Sequence, residues 1–253
     1  LNKLNQSVGQ WMLKMNLILS MEKNQHEKKM HTEKKKKEKE KEKSTTRHKS
    51  TTMGAHFSRN VPAGKYFELS RLNNAENECC SADEQKPISL VLNPKEVILT
   101  RNVWAALKEK HQHLVGMEIF RQIFNRRPDL KSLFGVSALD TEMALNSTRL
   151  HRHTMIFQDV IDILMVNISN VDVNIADSLI DLGAQHWVLT KRGFDPAYWL
   201  IFGDVLFDLV ENVTRKLPSR KRSTNAWRKT IAFMLDCMQI GYLKGVQCYA
   251  VEQ

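Results

Sequence analysis

Hydrophobic residues in the C-terminal two thirds of the chain recur with the spacing of α-helices. From about residue 93 onward, apolar positions repeat three or four residues apart in segment after segment, and no convincing run alternates with period two. Glycine and proline are few in this part and separate one stripe from the next. The pattern predicts an all-α domain over residues 92–253.

The apolar stripes and the breaks between them predict where the helices lie. One helix follows Asn93-Pro94, and the next runs from about residue 112 until Pro128 ends it, because proline disfavours helix in the residue before it. A short helical turn then leads to Phe134-Gly135. The remaining helices are predicted at about 141–168, 173–190, 196–215 and 225–247.

The N-terminal part has a different composition. Residues 1–52 hold thirteen Lys and one Arg against six Glu, which is +8 of the total formal charge of +10. The run KKKKEKEKEK at 34–43 cannot bury enough apolar surface to offset the entropy of ordering it. We therefore predict a long disordered, Lys-rich extension at 1–52, a flexible segment at 53–91 and a folded domain at 92–253.

The lysine run and the first twenty residues bear on partners and location. Lysine density alone permits salt-dependent phosphate binding, but no aromatic or Arg residues are interleaved to stack on bases, which argues against a nucleic-acid partner. Polar residues interrupt the early apolar patch before it could span a bilayer, and no clean secretion signal follows. The predicted location is the cytoplasm.

An internal methionine carries a lipidation pattern. Met53-Gly54 begins a match to M-G-x-x-x-[ST], which allows myristoylation of Gly54 if translation starts at Met53. One such chain binds a membrane only marginally, and palmitoylation of Cys79 or Cys80 would supply a second signal. The protein would then be held at the cytoplasmic face of a membrane. The alternative is a chance match.

Two histidines end or interrupt apolar helical stripes. His186 closes the stripe of Ile175, Leu179 and Leu182. A histidine at this place either holds a haem iron from one side or is a core histidine hydrogen-bonded to a carbonyl. His153 lies on the stripe of the 141–168 helix. His151 is two residues earlier, about 200° away, so it should face solvent.

The chain resembles the globin family across roughly residues 95–250. Trp104 stands where globins usually have a tryptophan in the first helix, and Phe120 to Phe124 followed by Pro128 looks like their second helix running into the third. Phe134 falls where the family places the phenylalanine that stacks on haem.

The histidines extend this resemblance. His186, preceded by Leu182-Gly183 and followed by Gly193-Phe194, resembles the proximal ligand region. His153 falls in register with the distal histidine when Val160-Ile161-Asp162 is aligned with neuroglobin-like members. The resemblance points to an intracellular globin, with nematode-type neural globins as the nearest expectation.

The resemblance implies a globin fold packed around a pocket for haem b, which is iron protoporphyrin IX. His186 would be the proximal iron ligand and His153 the distal residue, able to serve as a sixth ligand. Phe157 is larger than the aliphatic residue common at its place, so it would crowd the gas-binding side. The other expected pocket residues are Phe120, Phe134, Leu182 and Phe194.

The implied function is reversible binding of oxygen or another diatomic gas. The alternative is a six-coordinate haem protein for redox chemistry or for gas and redox sensing, which would need an external reductant. No catalytic residue is assigned, and enzymatic activity is left open. A globin-shaped regulator without haem is disfavoured by the two histidines.

Charged and sulfur side chains leave further alternatives open. Lys191 and Arg192 suit either the haem propionates or a solvated helix end. Cys237 and Cys248, about three turns apart in the last helix, suit either a homodimer contact or buried structural thiols.

Overall fold

The structure is a computed structural model that describes residues 88–171 and 175–250, with side chains described as far as residue 247. Within these ranges the chain is helical and contains no strand, so the predicted all-α fold is confirmed. Several predictions lie outside the described residues: the Lys-rich extension at 1–52, most of the segment at 53–91, the pattern at Met53-Gly54, the pair Cys79 and Cys80, and the side chain of Cys248.

Seven α-helices and two short 3₁₀ helices follow one another in the described part. The α-helices are α1 (Pro94–Lys110), α2 (Val115–Arg126), α3 (Thr141–Asn146), α4 (Thr148–Asn167), α5 (Ala176–Trp187), α6 (Tyr198–Thr214) and α7 (Arg220–Ala250). The 3₁₀ helices are Pro128–Phe134 and Val188–Arg192. None of the described helices is long and apolar enough to cross a membrane.

Local capping explains where the first helix begins. The Asn93 side chain accepts a hydrogen bond of 3.0 Å from the backbone N–H of Glu96, and the Glu96 carboxylate accepts one of 2.9 Å from the backbone N–H of Asn93. Each side chain thus satisfies a backbone donor that the helix leaves open. Pro94 suits the first helical position because its fixed φ is already helical.

Three predicted boundaries were wrong. α2 begins at Val115 and not near residue 112, because Gln112 and His113 adopt φ values of 51° and 61° that no α-helix contains. The predicted helix at 141–168 is two helices, since Ser147 is extended between them. α7 begins at Arg220, five residues early, where charged residues hide the periodicity.

The core joins the first and last helices across the sequence. Trp104 and Trp227 pack with ring centroids 6.2 Å apart, and the indole N–H of Trp227 donates to the Thr100 carbonyl at 3.2 Å. The indole N–H of Trp104 donates to the Asp162 carboxylate of α4 at 2.7 Å. Each buried indole therefore has an acceptor, and the contacts position α1, α4 and α7 together.

Glycine permits unusually close contact between α5 and α7. A Cβ atom added to Gly241 would lie 1.7 Å from the Ile180 carbonyl oxygen, and one added to Gly183 would lie 2.1 Å from the Met238 carbonyl oxygen. Only residues without a side chain fit at these two points. The backbone of α5, which carries His186, therefore rests directly on the backbone of α7.

Candidate functional site

His186 lies near the end of α5, whose apolar stripe of Ile175, Leu179 and Leu182 is buried as predicted. Its Nδ1 atom is 2.8 Å from the carbonyl oxygen of Leu182. A carbonyl can only accept a hydrogen bond, so Nδ1 carries the proton and donates it. The Nε2 atom is then left with its lone pair, which is the form that binds a metal.

Aromatic rings surround the imidazole of His186. Phe194 and Trp199 lie with their ring centroids 5.5 Å and 5.7 Å from it, and they are 5.5 Å from each other. Tyr242 of α7 packs against Trp199 at 6.0 Å, and its hydroxyl is 3.0 Å from the hydroxyl of Thr190. We call His186, Phe194, Trp199 and Tyr242 the proximal cluster.

A second group of rings surrounds His153 on α4. The His153 ring lies 5.3 Å from Phe120 and 5.2 Å from Phe134, and the two phenylalanines are 5.6 Å apart in an edge-to-face arrangement. Phe157, one turn further along α4, is 4.5 Å from Phe202. We call these five residues, His153, Phe120, Phe134, Phe157 and Phe202, the distal cluster.

The two imidazoles share a region of low dielectric constant. Burial lowers the pKa of His153 from 6.5 to about 4, helped by repulsion from His186 when that ring is protonated and from Arg149. Burial also lowers the pKa of His186, although its hydrogen bond to the Leu182 carbonyl acts in the opposite direction. Both rings are therefore neutral at pH 7, as metal ligation requires.

Both rings lie deep in the protein and are nevertheless partly accessible to solvent, as is expected of residues that line a cavity. They lie deep enough for desolvation to be the main influence on their pKa values, yet each keeps an intermediate share of solvent-accessible surface. The two observations agree if protein atoms enclose the rings on most sides while one side of each faces open space. Phe134 and Phe157 are likewise only partly covered.

The donor set decides which kind of group fits this cavity. No group of three or more His, Cys, Asp or Glu side chains in the described ranges is placed to hold a metal ion. A bare zinc or similar ion would need such a group. One or two neutral imidazoles among aromatic rings instead suit a metal whose other ligands come from a flat, apolar organic ring, which is haem.

The structure brings the predicted site residues into two clusters. Phe120, Phe134, His153 and Phe157 meet in the distal cluster, while Phe194 and His186 meet in the proximal cluster, one helical turn beyond the buried Leu182. Their roles toward haem stay predictions. His151 is exposed, as expected from its position on α4.

Three further residues of these clusters were not foreseen: Phe202, Trp199 and Tyr242. All three lie on apolar stretches of α6 or α7, Trp199 and Tyr242 buried and Phe202 partly buried, so nothing in their spacing separates them from ordinary core residues. Their contacts with the two histidine clusters appear only once the helices are packed.

The charged pair after α5 differs in exposure. Lys191 is exposed and Arg192 is half-buried, and both follow Trp187 in the second 3₁₀ helix. Cys237 is fully buried, in agreement with a structural role.

An all-helical chain that places two neutral imidazoles among aromatic clusters has the architecture of the globin class. Residues 117–238 match the family model for Globin. This part, a little under half of the chain, is identified by the match as a globin domain.

A curated relative shares this similarity. The chain is 24% identical over 152 residues to "Globin-related protein glb-13" of Caenorhabditis elegans, and the match covers 60% of this chain. It spans 52% of that relative's length, about half.

Proposed function

We propose that this chain binds one haem b between its two histidine clusters, where His186 would hold the iron. The observation that carries the proposal is the hydrogen bond from His186 Nδ1 to the Leu182 carbonyl, which leaves Nε2 as a free lone pair inside an aromatic cage. When bound, haem supplies an iron that can take up a diatomic gas reversibly or exchange one electron.

The chain's own residues divide the remaining tasks. Phe134 offers an aromatic ring to one edge of the cavity, and Phe120 and Phe157 keep bulk water from the distal side. His153, neutral at pH 7, offers a hydrogen-bond donor to a gas molecule there. We therefore infer reversible binding of oxygen or a similar diatomic gas.

A specific observation favours a second candidate function. Phe157 and Phe202 stand only 4.5 Å apart, and no hydrogen bond within the described part of the chain fixes the ring nitrogens of His153. A crowded cavity with an unrestrained imidazole favours His153 itself as the sixth ligand. Such a protein suits redox chemistry or sensing, with a separate protein as reductant.

Haem titration of the full chain tests the proposal. We expect one haem per chain by absorbance, and reversible binding of carbon monoxide after reduction. A His151→Ala variant should behave identically, because that histidine is exposed and outside both clusters. Absence of a stoichiometric haem band would contradict the proposal.

The second candidate has its own test in the reduced protein without gas. Sharp low-spin absorption bands that disappear in His153→Ala would support six-coordinate iron. A broad high-spin band in the unchanged protein would refute it and favour a gas carrier.

A further inference from the structure

The corner between α6 and α7 concentrates positive charge. Arg215 and Lys216 follow the end of α6, and Arg220, Lys221 and Arg222 form the first turn of α7. All five are exposed, and no acidic residue occurs in the sequence between Glu211 and Asp236. We call these five residues the basic corner.

The helix itself does not favour this placement. The N-terminus of an α-helix carries partial positive charge, so acidic residues are favoured there and cations are disfavoured. α7 nevertheless begins with three cations and has no acidic residue in its first turn. Residues that break a local stability rule without a visible gain in folding are candidates for function.

The described acidic residues neutralise the basic corner only in part. Arg220 lies 3.8 Å from the Glu211 carboxylate. The pKa of Glu96 is lowered mainly by a hydrogen bond from the Asn93 backbone, and the charge of Arg222 contributes to that lowering. Arg215, Lys216 and Lys221 make no ion pair within the described ranges. Three exposed cations therefore remain available to an external anion.

An apolar tip lies between the two groups of cations. Leu217 is 44% exposed and Pro218 is also exposed. Apolar side chains ringed by Lys and Arg suit the boundary between lipid headgroups and acyl chains. A nucleic acid would instead favour exposed aromatic rings, and the aromatic residue nearest in sequence to the basic corner, Trp227, is buried.

We propose that the basic corner docks on a membrane surface containing anionic phospholipids, with Leu217 at the apolar boundary. This surface is separate from the two histidine clusters and does not depend on haem. It could also serve as the second signal that a myristoyl group on Gly54 would need, because one acyl chain alone binds marginally.

Vesicle co-sedimentation of the full chain tests the proposal. The vesicles contain phosphatidylcholine alone or with phosphatidylserine as a minority component. The test variant is R215E/K216E/K221E. The matched control is K95E/K110E/K244E, which changes the net charge equally at three exposed lysines elsewhere and leaves the N-terminal lysines intact.

We expect sedimentation with the anionic vesicles only, weakened on the order of 100-fold by the test variant, since each cation near such a surface contributes about 1 kcal/mol. The control should change much less. Equal weakening in both variants would overturn the proposal, because general charge or the N-terminal lysines would then carry binding. Binding to polyuridine is measured in parallel. If the test variant loses polyuridine binding but keeps vesicle binding, the proposal is overturned and the basic corner is a nucleic-acid surface.

Two more variants keep the test decisive. If the charge-reversed chain fails to fold by circular dichroism, R215Q/K216Q/K221Q replaces it with the same expected direction. Leu217→Ser should weaken vesicle binding by about tenfold, given the transfer free energy of a leucine side chain. Leu114→Ser, at a leucine that is 40% exposed elsewhere, should leave binding unchanged. Equal effects at the two leucines would contradict insertion at the corner.

Discussion

The two histidine clusters hold their imidazoles in different ways. His186 is fixed by a hydrogen bond to its own helix, by the rings of Phe194 and Trp199, and by the glycine contacts that press α5 onto α7. His153 packs against the rings of Phe120 and Phe134, and no hydrogen bond within the described residues holds it. A restrained imidazole suits a permanent ligand, and an unrestrained one suits a residue that moves when a gas enters.

The largest expected effect comes from the contact that supports the proximal cluster. Gly241→Ala should lower the free energy of unfolding by roughly 3 kcal/mol or more, because its Cβ would lie 1.7 Å from the backbone oxygen of Ile180 and would force α5 and α7 apart. Chemical denaturation measures this directly.

Gly135→Ala, beside Phe134 of the distal cluster, is the matched comparison. An added Cβ meets nothing within 4 Å there, and only the strain of a positive φ of 69° remains. We expect a loss of about 1 to 2 kcal/mol. If both substitutions cost the same, the α5–α7 contact is no tighter than ordinary packing.

These glycines show where sequence reasoning stops. Periodicity predicted the helices, and the resemblance placed His186, His153 and Phe134, since each depends on local spacing. A glycine inside a helix signals only weak helix propensity, so nothing in the sequence indicated that Gly183 and Gly241 hold two helices together.

The pairing of distant segments was equally out of reach. Trp199 and Phe202 look like ordinary core residues of α6, and only the packed helices show that Trp199 contacts His186 while Phe202 contacts Phe157 of the distal cluster. The break at Ser147 was missed because the hydrophobic stripe continues across it, while the backbone turns to an extended conformation.

Protonation of His153 should destabilise the haem-free protein in acid. The unfolded chain protonates His153 near pH 6.5, but in the folded chain burial, helped by repulsion from His186 when that ring is protonated and from Arg149, holds its pKa at about 4. Protonation of His153 therefore does not destabilise the protein above pH 6.5. As the pH falls from there to about 4, the free energy of unfolding should decrease by about 3 kcal/mol.

Replacing the titrating ring isolates this effect. We expect the free energy of unfolding, measured by denaturation at several pH values, to depend less on pH in His153→Leu than in the unchanged chain. The remaining pH dependence should include His186, because burial also lowers the pKa of that residue. An unchanged slope in the variant would show that His153 is not buried as described.

A smaller effect is expected at the crowded end of the distal cluster. Phe157→Val removes the ring that stands 4.5 Å from Phe202, so carbon monoxide should enter the reduced haem protein about tenfold faster, equivalent to about 1.4 kcal/mol in the barrier. Flash photolysis measures the rate.

The same substitution in the proximal cluster provides the control. Phe194→Val removes an equal volume beside His186 and should leave the entry rate nearly unchanged. A similar acceleration in both variants would mean that the two clusters do not define separate sides of the cavity.

The most direct test of this account is haem retention in His186→Ala and His153→Ala, measured side by side by transfer of haem to an excess of apomyoglobin. We predict that His186→Ala loses haem at least about 100-fold faster than the unchanged chain, because the proposed proximal ligand is gone. His153→Ala should keep haem with far smaller change and alter the absorption spectrum instead. Faster loss from His153→Ala than from His186→Ala would contradict the assignment of the proximal ligand.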